Sequence, residues 1–108
     1  MTRPRTTTDG RFTFDVLRAQ GPVLVDFHAD WCRPCQLLDP VLDDLAAAWG
    51  DRMRIVKLDD EANPHTAARH GVRSIPTLIL FEAGEERERL VNVIRRQTIE
   101  DRIGSVVA

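Results

Sequence analysis

Apolar positions follow two rhythms along this chain, and the rhythms mark its elements. Val23-Leu24-Val25-Asp26-Phe27 is apolar on both faces except at Asp26, the pattern of a central parallel strand, predicted over Val23–His28. From about Pro34 to Trp49 the period becomes helical. Leu38, Val41, Leu42, Leu45 and Trp49 share one face, with Asp39, Asp43 and Asp44 off it. Pro40 inside this helix predicts a kink rather than an end, and Gly50-Asp51 closes it. Met53 to Leu58 alternates as a second strand, with Met53, Ile55 and Lys57 on one side and Arg54, Val56 and Leu58 on the other. Asp59 to Pro64 reads as a turn, and Pro64 to His70 as a short helix with Gly71 in the left-handed cap. Thr77 to Phe81 is a third strong strand. Ala83-Gly84 turns it into an antiparallel return over Arg87 to Val91. Ile99, Ile103, Val106 and Val107 mark a last helix, which Gly104 weakens.

The N-terminal stretch is less patterned. Thr6-Thr7-Thr8 suits a short edge strand, because threonine is β-branched. Residues 1–5, with Arg3-Pro4-Arg5, are expected to fray. Asp9 is a candidate N-cap for a helix carrying Phe12, Val16 and Leu17, which Gly21-Pro22 ends. The resulting order, β-α-β-α-β-α-β-β-α, predicts an α/β fold: a mixed sheet of four to five strands with helices on both faces. Right-handed crossovers then place the residues after His28 at the carboxyl end of a central strand, where open α/β sheets put their sites.

Composition narrows this to one domain, residues 1–108, with an ordinary apolar share of 43%. A formal net charge of −2 gives no broad basic surface for nucleic acid or membrane. No signal-like or membrane-length apolar run is present. The chain has two cysteines, both in Trp31-Cys32-Arg33-Pro34-Cys35, and one lysine, Lys57. A lone CxxC suits a reducing compartment, so a cytoplasmic protein is expected, and a small chain without a large apolar surface run suggests a monomer.

The cysteines sit where a strand gives way to a helix. Unpaired N–H groups there stabilise an anion, and the thiolate is the nucleophile of disulfide exchange. Cys32 is therefore read as the attacking thiol and Cys35, one turn inside, as the resolving thiol. Pro34 suits the first turn, where its missing N–H costs nothing. Asp26 is out of place mid-strand. A buried carboxylate is pushed toward its protonated form unless paired, and Lys57, equally odd in an apolar strand, is its natural partner. Such a carboxylate near a thiol can take its proton at neutral pH.

With these features the chain resembles the thioredoxin family. The matching stretches are Val25-Asp26-Phe27, Ala29-Asp30-Trp31-Cys32, Pro34-Cys35, Pro40, Lys57, Asn63-Pro64, Ile75-Pro76-Thr77 and Phe81 through Gly84, in the family's order and spacing from Asp9 onward. The resemblance implies a thioredoxin fold and a protein-disulfide reductase that needs no bound cofactor or metal and draws electrons from a thioredoxin reductase. It implies a cis Ile75–Pro76 bond facing the cysteines, with Arg73-Ser74-Ile75 offering backbone groups to a substrate strand. It also places Asp26 behind Cys35 as an aid to its deprotonation. Trp31, Arg33, Pro34, Arg73, Ser74, Ile75, Pro76 and Asn92 are the substrate-contact candidates.

Four positions depart from the family pattern. Arg33 replaces a usual glycine, and its guanidinium should favour the thiolate and make the couple less reducing. His28 replaces a usual tryptophan and introduces a group able to couple the site to pH. Ser74 and Asn92 replace small or glycine residues, and Asn92 tolerates positive φ.

Competing readings exist for each motif. A structural disulfide across so short a loop would constrain the unfolded chain little. Half a zinc site needs two more ligands, and His28, His65 and His70 lack zinc-finger spacing. Asp26 and Lys57 can be a structural ion pair. His65 and His70 read as solvated, Trp49 as core and Glu82–Arg89 as a solvated hairpin whose charges discourage edge pairing. The alternatives to a reductase are a more oxidising or isomerase-like relative and a thioredoxin-fold binding or chaperone-partner module.

Overall fold

A computed structural model of the chain describes residues 2–107. Met1, part of the stretch expected to fray, lies outside the described residues.

Five strands form one sheet: β1 (Arg5–Thr6), β2 (Val23–His28), β3 (Arg54–Asp59), β4 (Thr77–Glu82) and β5 (Glu85–Val91), in spatial order β1-β3-β2-β4-β5. β1 and β2 run parallel to β3, while β4 pairs antiparallel with both β2 and β5. The predicted mixed sheet is thus present. Its first strand begins one residue ahead of the threonine run. Three helices follow: α1 (Arg33–Trp49), α2 (Pro64–Arg69) and α3 (Arg96–Ile103). A single π-helical turn, Thr13–Leu17, precedes β2.

The period-2 alternation of the strands splits the core in two. Leu24, Ile55, Leu78, Leu80 and Leu90 pack on Leu38, Leu42, Leu45 and Trp49 of α1 and on Ile99 and Ile103 of α3. Val23, Val25, Phe27, Val56, Leu58, Ile79 and Phe81 pack on Phe12, Val16 and Ala67 across the other face. Leu38, Leu42 and Leu45 are wholly withdrawn from water, a burial contributing roughly 1.5–3 kcal/mol each. α1 continues through Pro40. The hairpin turn has positive φ at both Ala83 (51°) and Gly84 (79°), the signature of a two-residue turn matched to strand twist. At Gly84 a Cβ would lie 3.0 Å from the Leu17 carbonyl oxygen, so a side chain there would also collide with backbone.

Two expectations are corrected. Asp9 does not cap the turn that follows it, which starts after Phe12 with no side-chain cap. It caps α2 instead. Its carboxylate accepts from the Thr66 hydroxyl at 2.6 Å, the Thr66 amide at 2.8 Å and the His65 amide at 3.1 Å. Burial pushes its pKa up, but the hydrogen bonds from Thr66 and His65 outweigh this and hold it below the ordinary carboxylate range. His70 is not simply solvated: its ring packs 5.5 Å from Phe12 and 5.3 Å from Phe81. Burial lowers its basicity. No helix among the described residues is long and apolar enough to cross a membrane.

Candidate active site

β2 ends at His28, and the chain crosses Ala29-Asp30-Trp31 before α1 begins. Cys32 is the N-cap of α1: its Sγ accepts the Cys35 amide at 3.3 Å, and Pro34 occupies the first turn. The Cys32 amide donates to the Ala29 carbonyl at 3.1 Å, and Gln36 Nε2 ties back to the Asp30 carbonyl at 2.8 Å, so both ends of the loop are fixed. Cys32 and Cys35 form a disulfide, with Cα atoms 5.2 Å apart. Both are nearly buried, at 3% and 2% exposure, in a cluster with Ala29 and Ile75.

Cys32 nonetheless opens on a groove of about 420 Å³ lined by Trp31, Arg33, Pro34, Asp60, Arg73, Ser74 and Ile75. Six of the predicted contact residues therefore converge around one sulfur. Trp31 is 66% exposed. The Ile75–Pro76 bond is cis, and Pro76 is buried behind the groove. Thr77 Oγ1 donates to the Ser74 carbonyl at 2.6 Å, and the Asn92 amide donates to the Pro76 carbonyl at 2.9 Å. Asn92 has φ 59°, as its tolerance of the left-handed region foretold, but it braces the loop from behind and is not part of the groove lining. Arg33 lies exposed along α1 with its guanidinium 3.5 Å from Gln36 Oε1.

Asp26 is entirely buried on the α1 side of the sheet, and neither carboxyl oxygen has a hydrogen-bond partner among the described residues. Burial pushes its pKa up to about 7, the nearby Lys57 charge acts against this, and Asp39 adds to it. The expected Asp26–Lys57 ion pair is not formed. Lys57 Nζ donates to Asp39 Oδ1 of α1 at 2.6 Å instead. The physical reason is desolvation: Asp39 is 44% exposed, so pairing there leaves both charges partly hydrated. His28, half-buried, is held below the ordinary histidine range, by burial first and the Lys57 charge second, and so is neutral at pH 7.

Sequence reasoning missed Asp60 and Asp39. Asp60 forms one wall of the groove, and its amide donates to the His28 carbonyl at 2.7 Å. Burial, with Asp59, Glu61 and Asp9 nearby, raises its carboxyl. The parallel β2–β3 register sets Asp59 level with His28, and this was the signal that could have found its neighbour. Asp39 is four residues after Cys35, hence on the same side of α1. Among the described residues no group of three His, Cys, Asp or Glu side chains is placed to hold a metal ion.

A dithiol–disulfide pair capping a helix, beside a cis-proline loop at the carboxyl end of a central strand, defines a thiol–disulfide oxidoreductase. The thioredoxin family model matches residues 3–105, and the chain belongs to the thioredoxin family. It is 40% identical over 92 residues to a thioredoxin of Synechocystis sp., covering 85% of this chain and 86% of that one. It is 37% identical over 101 residues to the thioredoxin of Pyropia yezoensis, covering 94% of each. A solved mutant thioredoxin from Halobacterium salinarum superposes with a TM-score of 0.87 at 36% identity, covering 98% of this chain and 92% of that one.

Proposed function

We propose that this oxidoreductase reduces disulfides in other proteins through a mixed disulfide, with Cys32 as nucleophile, Cys35 as resolving thiol and Asp26 as its base. In the reduced protein, Cys32 thiolate attacks one sulfur of a substrate disulfide. A Cys32–substrate bond forms and the other substrate sulfur leaves as a thiolate. Asp26 carboxylate then takes the Cys35 proton. The Cys35 thiolate attacks Cys32 Sγ and expels the second substrate thiolate, which leaves the protein disulfide and a substrate dithiol. A reductase must return two electrons, and the thioredoxin reductase class is the donor that family membership supports.

The observation carrying this reading is the asymmetry of the pair: Cys32 lines a groove, while Cys35 lies inside α1, and Asp26, the only buried side-chain carboxyl among the described residues, lies on the α1 side of the sheet. The groove residues Trp31, Arg33, Pro34, Arg73, Ser74 and Ile75 hold the substrate segment, with Pro76 and Asn92 fixing the loop beneath it. Lys57 acts on Asp26 through its charge. A reducing cytoplasm is the compartment that such a lone dithiol fits. The test is disulfide reduction of insulin with Cys35→Ser as trap. The native protein should turn insulin over, and the variant should accumulate a covalent insulin adduct that Cys32→Ser does not form. Adduct formation through Cys35 alone, or no reduction at all, refutes the assignment.

A further inference from the structure

We propose that Asp39 is a positioning residue: it holds the Lys57 ammonium at the rim of α1 and so keeps that cation off the Asp26 carboxyl. The inference rests on the reading of Asp26 as base. Lys57 and Asp26 are register partners on adjacent strands, both facing α1, and strands lie only about 4.8 Å apart. The lysine therefore has two carboxyls within reach, one buried and one at the surface. It takes the surface one, at 2.6 Å, and both oxygens of the buried one are left without a partner among the described residues.

The groups facing Asp26 are few. β3 supplies Lys57, and α1 supplies Asp39, the two charges that act on Asp26. β4 supplies Leu78, the direct register partner, and α3 supplies Ile99 and Ile103 to the same core. His28, two residues on along β2 and on the same side, is uncharged at pH 7. No other cation faces the site among these groups, so the position of one ammonium sets how strongly Asp26 holds a proton. With Lys57 held at Asp39, the Asp26 carboxylate is the stronger base toward Cys35. With Lys57 released, it becomes ion-paired and weaker.

The experiment is a carbon-13 NMR titration of the Asp26 carboxyl in the oxidised protein, in native, Asp39→Asn, Lys57→Met and doubly substituted forms. Asp39→Asn should lower the Asp26 midpoint by about 1–3 pH units as Lys57 turns inward. In the Lys57→Met background the same change should move it less, because only the direct field of Asp39 is then removed. An unchanged or raised midpoint in Asp39→Asn overturns the proposal. So does an equal shift in both backgrounds. The Asp26-dependent limb of the pH–rate profile for resolving the mixed disulfide should follow the midpoint. An Asp26→Asn protein with the native profile would refute the base reading alone, and the carboxyl titration would still decide the role of Asp39.

Discussion

Asp26 and Lys57 stand opposite each other in the β2–β3 register, yet the lysine donates to Asp39 and neither carboxyl oxygen of Asp26 has a hydrogen-bond partner among the described residues. A wholly buried carboxyl with no partner is a stability cost whenever it is ionised. Its folded-state pKa, about 7, lies above the ordinary 3.8, so its favourable contribution is complete below about pH 4 and is lost as pH rises through 7.

Asp26→Asn should therefore gain on the native protein as pH rises. The difference in unfolding free energy between the two should change in the variant's favour by on the order of 4 kcal/mol from about pH 3 to about pH 9. Urea denaturation across this range measures it. A difference that stays flat with pH would show that Asp26 titrates normally in the folded protein.

Arg33 sits in the first turn of α1, next to Cys32, and is exposed. Its charge favours the thiolate, hence the reduced form, so its removal should make the couple more reducing. Arg33→Gly should lower the reduction potential by ~30 mV or less, the modest scale reflecting solvent screening. Equilibration against glutathione reads this directly, and an unchanged potential refutes it.

The Asp9 cap joins the segment after β1 to α2. Asp9→Ala should cost about 1–2 kcal/mol at neutral pH. Because hydrogen bonds hold this carboxyl below its ordinary range, the stabilisation is present above that range and lost as pH falls through it. Denaturation curves of the two proteins should separate at pH 7 and draw together in acid. Equal stability at pH 7 would mean that the three hydrogen bonds contribute nothing net.

Asn92 holds a left-handed backbone while its amide supports the cis-proline loop. Asn92→Gly should keep both stability and insulin reduction. Asn92→Val should lose about 1–2 kcal/mol in thermal or urea unfolding, because a β-branched residue resists positive φ. A valine variant as stable as the glycine one would contradict the strain argument.

Most of the architecture was legible because it is written in local periodicity. The apolar run of β2, the helical face of α1 and the alternation of β3 each specify their element without reference to anything distant. The same holds for the CxxC, whose meaning depends on its immediate flanks. What escaped was non-local. Asp9 has the side chain of an N-cap, but the helix it caps begins 55 residues later in the chain. Lys57 was assigned to Asp26 because both are charged residues out of place in apolar strands, and the choice between the two carboxyls depends on hydration, which spacing does not encode. His70 looked polar in isolation, and only the fold brings Phe12 and Phe81 to its ring.

β2 is zipped to a neighbour along each side, parallel to β3 and antiparallel to β4. Deuterium should reach its amides last, since they alternate between the two ladders and both must part before all of them meet solvent. Sulfur chemistry thus takes place a few residues beyond the slowest-opening backbone in the molecule. Each round of oxidation and reduction can rearrange the first turn of α1 while the strand that aims it stays where it is.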